Sequence, residues 1–118
     1  MYAFHNHLQL VGRIGHDPEL KILSDGSPLL RLRLYQNPGR ADTAREPQVH
    51  QLIAWNDVAR KMHALVRRGD RLLVHGKLIN RKRKHQSQTI WQTEVHISYF
   101  APLKSAEPIE EQTQYLIH

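Results

Sequence analysis

LVRRGDRLLVHGKLINRKRK, residues 65–84, holds three structural signals in a row. Leu65 and Val66 close a helical pattern. Two arginines and Gly69 follow, and glycine accepts the left-handed turn that ends a helix while cations suit its C-terminus. Asp70 then leads into a strand, Leu72 to Leu78, with Gly76 inside it. Glycine within a strand marks a bulge or a sharp bend. The stretch finishes in four consecutive cations, Arg81, Lys82, Arg83 and Lys84. A helix stop, a bent strand and a basic arm therefore follow one another, and the arm calls for an anionic partner.

Reading outward, the segments before the helix have the period of strands. In Asn6 to Gly15, Leu8, Leu10, Gly12 and Ile14 share one face and Gln9, Val11 and Arg13 the other, which predicts a half-buried strand. His16, Asp17 and Pro18 break it, and Glu19 to Leu23 can resume it. Ser24-Asp25-Gly26-Ser27 has the chemistry of a turn. Leu29 to Tyr35 is a second strand, with Leu30, Leu32 and Leu34 opposed to Arg31, Arg33 and Tyr35. Two arginines and an aromatic on one face suggest a binding surface. Asn37 to Gln48 is a long polar loop carrying Arg40 and Arg45. Val49 to Trp55 is a third strand. Asn56 or Asp57 can cap the helix, whose packed stripe is Val58, Met62, Leu65 and Val66. After the basic run, His85 to Gln88 form a polar hairpin tip and Thr89 to Tyr99 the last strand. From Ala101 the alternation stops, and Pro102, Glu107, Pro108, Glu110 and Glu111 indicate a short extended tail. Three strands, a helix and two strands predict an all-β fold: a five-stranded oligonucleotide-binding (OB) barrel with one helix between strands 3 and 4.

The chain has 118 residues, enough for one domain, and a formal net charge of +6. That charge points to a polyanion, nucleic acid before an anionic membrane. The absence of cysteine excludes disulfides and thiolate metal sites. No long apolar run suggests a membrane span or signal segment, so a cytoplasmic protein is expected. His5 and His7 stand two apart, but no third ligand or carboxylate cluster follows, so neither metal nor other cofactor is expected. His5-Asn6-His7 spells the name of a nuclease motif without its surrounding pattern, and no nucleophile elbow occurs. The expectation is a binder rather than an enzyme.

Several motifs in order resemble the bacterial single-stranded DNA-binding proteins. LVGRIGHDPEL at Leu10 to Leu20 is similar to that family's opening strand and its Gly-x-x-Gly-x-Asp-Pro-Glu signature. The Asp25-Gly26 turn, HQLIAWNDVA at His50 to Ala59, RRGDRLLVHGKL at Arg67 to Leu78 and TEV at Thr93 to Val95 agree with it in sequence and spacing. The resemblance runs from Asn6 to about Leu103. It implies an OB single-stranded DNA-binding domain over residues 1–103 and a short flexible C-terminal tail over 104–118. It also implies sequence-independent coating of single strands in bacterial replication, recombination or repair, at the nucleoid. A homotetramer, a dimer of dimers, is the family's usual state, and apolar residues such as Leu73 and Ile79 on both faces of the last strands favour a closed oligomer. A dimeric replication-restart accessory protein of the same fold and a metal-dependent nuclease are the rivals.

Single-strand binders use cations to follow phosphates and flat groups to stack on bases. Arg13, Arg31, Arg33, Arg68, Arg81 and Arg83 are the candidate track, because guanidinium bridges phosphate oxygens and lies on bases. Tyr35, Trp55 and Trp91 are the candidate stacking groups. Trp91 shares a face with Val95 and Ile97, so core or subunit contact stays open for it. By resemblance, Trp55 matches a stacking position, while Arg40, Val49 and Arg83 stand where the family usually places other stacking rings. The family's acidic tail ending in Pro-Phe is replaced by Tyr115-Leu116-Ile117-His118, so tail-mediated partners are not expected.

Overall fold

The structure is a computed structural model and describes residues 5–36 and 46–103. Its elements are β1 (Leu8–Ile14), β2 (Glu19–Ile22), β3 (Pro28–Gln36), β4 (Gln48–Trp55), α1 (Asn56–Leu65), β5 (Arg71–His85) and β6 (Gln88–Leu103). Going round the sheet, β1 pairs β5, β5 pairs β6, β6 pairs β4 and β4 pairs β3. Pairing of Arg13 with Tyr35 and Ile14 with Leu34 joins β1 back to β3 and closes a ring of five strands. The β4–β6 contact is parallel, with Leu52 opposite Val95 and Ile53 opposite His96. β2 flanks β3 outside the ring. With β1 and β2 counted as one strand broken at Gly15–Pro18, the helix falls between strands 3 and 4. That is the OB architecture.

Period-two leucines make the ring. Leu30, Leu32 and Leu34 of β3 are buried, with Ile14, Leu52, Leu72, Val74, Val95 and Ile97 beside them. Ala59 and Met62 of α1, and Val66 just after it, complete the same cluster. The outward positions Arg31 and Arg33 stay exposed. Leu65, expected on the packed stripe, is instead 60% exposed. The buried stripe moves to Ala59, Met62 and Val66, because a helix seated on a barrel end buries a narrow seam.

The helix ends differ from expectation as well. Trp55 occupies the N-cap position without a side-chain capping bond, so Asn56 and Asp57 do not cap. Asn56 instead takes a left-handed backbone, φ 54°, which asparagine tolerates. At the other end Val66 is the C-cap, and Arg67 Nη1 donates to the His63 and Val66 carbonyls. Gly69 does not end the helix. It sits at φ 90° in a separate turn, where Asp70 N donates to Arg67 O (3.1 Å) and Arg67 N to Asp70 Oδ2 (2.8 Å). In the Leu23–Ser27 turn, the Ser27 backbone N–H donates to Asp25 Oδ1 and holds that carboxyl below its ordinary value.

β5 does not stop at Leu78. It runs through the basic residues to His85, paired with β6 as far as His85 opposite Gln88. Gln86 (φ 49°) and Ser87 (φ 69°) form the two-residue tip, the paired positive φ of a type I′ hairpin turn. The basic arm is thus a β-ribbon. β6 likewise continues past Tyr99 to Leu103, with Pro102 opposite Leu72, so the tail begins later than the alternation suggested. Between barrel and ribbon the register slips: His75 faces Tyr99 but Gly76 faces Ile97, leaving Ser98 as a bulge. A Cβ at Gly76 would collide with the His96 carbonyl, so only glycine lets the strands close there.

Candidate nucleic-acid interface

Residues directly opposite in a sheet share a face. Arg33 lies opposite Gln51 and Arg31 opposite Ile53. Ile53 lies opposite His96. Across the ribbon, Lys77 faces His96, Ile79 faces Glu94, Arg81 faces Gln92 and Arg83 faces Ile90. These pairs build one outward surface over β3, β4, β6 and the ribbon.

Three hollows mark that surface. An open groove of about 850 Å³ is lined by His16, Asp17, Glu19, Lys21, Arg31, Arg33 and Gln51, with the carbon walls of Leu20, Leu29 and Leu32. A second, of about 250 Å³, lies between Arg31, Arg81, Lys82, Arg83, Gln92 and Glu94. Arg31 lines both, so the two adjoin at its side chain. A third, of about 460 Å³, has half-buried Trp55 as its flat wall, beside His7, Lys77, His96 and Ser98. The first two hollows are therefore lined by cations and the third by an indole, and the first is tempered by Asp17 and by Glu19, which lies directly opposite Arg31.

The candidates divide on this map. Arg31, Arg33, Arg81, Arg83 and Trp55 lie on the outward surface. Arg81 also contacts buried Glu94, Nε to Oε1 3.5 Å, and Arg83 Nη1 donates to Gln92 Oε1 at 2.9 Å. Tyr35 covers Gly15, where a Cβ would overlap its ring, so it seals the β1–β3 closure. Arg13 lies on the β1–β5 side, and its Nη1 donates to the Gly69 carbonyl (3.0 Å). Arg68 follows the helix, and its backbone N–H donates to Asp17 Oδ1 (2.8 Å). Neither Arg13 nor Arg68 lines these hollows. Trp91 is 62% exposed, which removes the core reading within one chain. It lies opposite Lys82, whose ammonium sits 5.2 Å from the ring centroid, on the ribbon face away from Arg81 and Arg83. Arg40 lies outside the described residues, as does the tail. Sequence reasoning passed over Lys21, Gln51, Lys77, Gln92 and Glu94. Their signal was the outward phase of each strand.

Among the described residues no three histidines and acids gather as a metal site, and no helix is long and apolar enough to cross a membrane.

Residues 5–103 match the single-strand binding protein family. The chain belongs to that family. A single-stranded DNA-binding protein of Thermus thermophilus is 35% identical over 75 residues, covering 64% of this chain and 28% of that protein. One from Enterococcus faecalis is 29% identical over 110 residues, covering 91% and 58%. The chain thus spans less than two thirds of the length of these curated relatives. A solved Plasmodium falciparum SSB in complex with ssDNA superposes with a TM-score of 0.76 at 26% identity, covering 88% of this chain and 99% of that one. The family resemblance and the barrel expected from the sequence both hold.

Proposed function

We propose that this chain binds single-stranded DNA along the outward surface of β3, β4, β6 and the ribbon, coating it without sequence preference and without catalysing a reaction. The observation that carries the reading is that two cation-lined grooves adjoin at Arg31 on the outward surface. A path of guanidinium groups neutralises successive phosphates whatever the bases, and a flat ring accepts any base face. The family, and a relative solved with ssDNA, support the same reading. We further propose that the protein works in the bacterial cytoplasm, at the nucleoid, during replication, recombination or repair, as a homotetramer of like chains, with residues 1–103 as the binding domain.

The test is titration of poly(dT) followed by tryptophan fluorescence, with a light-scattering mass. Saturable binding that weakens steeply with salt supports the reading, and no binding at low salt defeats it. Trp55→Ala should lose about 1–3 kcal/mol of affinity. A variant that stays folded and binds like wild type would remove Trp55 from the interface. A dimeric mass would favour the accessory-protein rival.

A further inference from the structure

Glu94 is out of keeping with its surroundings. It lines the groove between Arg31, Arg81 and Arg83, yet it is 3% exposed and is the one buried charged residue among those described. Burial without partners is costly for a carboxylate. Glu94 Oε1 has two: Arg81 Nε at 3.5 Å from the facing strand, and His96 Nε2 at 3.3 Å from its own. A buried anion beneath a phosphate path also opposes DNA, so a role is required that outweighs the repulsion.

The geometry of Arg81 supplies one. Its side chain is 49% exposed and meets the carboxylate through Nε. Among the described residues its terminal nitrogens make no hydrogen bond. A guanidinium drawn to the carboxylate by an ion pair on that inner side keeps its outer N–H groups for a second anion. Arginine can serve two anions at once, and lysine, with a compact charge, does so poorly. Arg83 is held differently, by a hydrogen bond from its terminal Nη1 to the Gln92 amide oxygen at 2.9 Å. The ribbon has no core to fix its side chains, so cross-strand acceptors take over that task.

We propose that Glu94 is a positioning residue of the phosphate path: it seats Arg81 across the ribbon with its outer N–H groups turned to a DNA phosphate. This rests on the reading of the chain as a single-strand binder. The binding penalty of fixing a long side chain is then met in the free protein.

The experiment is a dT oligonucleotide titration between 50 and 200 mM salt. It compares wild type, Arg81→Ala, Glu94→Met, the double variant and Glu94→Gln, each checked by thermal melting. One phosphate contact contributes about 0.7 to the slope of log affinity against log salt, roughly a 2.6-fold change over that range. Glu94→Met should lose that increment, as Arg81→Ala does, and the double variant should lose no more than either. Glu94→Gln keeps the size of the side chain but removes the charge of the ion pair with Arg81, so it should lose the same increment as Glu94→Met. A folded Glu94→Met with the wild-type slope, tighter binding by Glu94→Met, or additive losses would overturn the proposal. So would Glu94→Gln with the wild-type slope, since the side chain would then act by its packing and not through the ion pair with Arg81. Should Glu94→Met fail to fold, Arg81→Lys decides. Its single ammonium would be taken up by Glu94, so its slope should match Arg81→Ala, and a wild-type slope would overturn the proposal. Failure of wild type itself to bind dT would instead defeat the proposed function.

Discussion

β5 passes through two environments. From Arg71 to Gly76 its residues alternate between half-buried and buried; from Asn80 to His85 every one is exposed. The first half belongs to the ring and the second to the ribbon, although both pair with β6, on either side of the bulge at Ser98. In the ring, Leu72 and Val74 face the core, and a one-residue slip would expose both. In the ribbon no burial opposes a slip. There the register depends on the two-residue tip and on cross-strand pairs, including Thr93 Oγ1 to Asn80 Oδ1 at 2.8 Å. Stability and binding are therefore expected to separate along a single strand.

The largest test of that separation is Leu32→Ala. Leu32 is 1% exposed at the centre of β3. Removing it should cost about 2–5 kcal/mol in denaturant unfolding while leaving the salt slope of the folded fraction as in wild type. A change in slope would mean that core and binding surface are coupled. Gly76→Ala acts at the boundary between the halves. The added methyl meets the His96 carbonyl, and overpacking of this kind costs about 1–3 kcal/mol. If the boundary also aims the ribbon, DNA affinity falls as well, and unchanged affinity would show that the ribbon sets its own direction. Arg83→Ala should lower the salt slope by about 0.7 and leave unfolding within about 0.5 kcal/mol of wild type. Parallel salt lines would show that Arg83 meets no phosphate. The smallest effect is expected for Trp91→Ala, because Trp91 lies on the ribbon face opposite Arg83. Affinity should stay within about 0.5 kcal/mol of wild type, and the fluorescence quench should be carried by Trp55. A loss in the stacking range would show that the strand wraps both ribbon faces.

The ring was readable in the sequence because burial writes itself as period-two leucine, most clearly at Leu30, Leu32 and Leu34. Gly76 likewise announced the bulge, since a residue without Cβ in mid-strand has few other uses. What was hidden lay where burial is silent. Arg81 to Lys84 reads as one basic block, and only knowledge that it stays in a strand divides it into Arg81 and Arg83 on one face and Lys82 and Lys84 on the other. Trp91 kept its alternation with Val95 and Ile97, but the barrel wall ends before reaching it. Tyr35 shares the parity of Arg31 and Arg33, yet its place over Gly15 depends on closure of β1 onto β3, a contact between residues far apart in sequence. The burial of Glu94 gave no compositional sign, because its arginine partner sits on the facing strand.

The two-residue tip and the strict alternation of the ribbon also limit how such a protein can change in length. Adding two residues to each strand near the tip would give one more outward position per strand and carry the path on. Adding one to each would send every side chain beyond the insertion to the opposite face, setting any arginine there among the lysines. Ribbons of this kind can grow by doublets and keep their pattern, so variation in their reach should come in even steps.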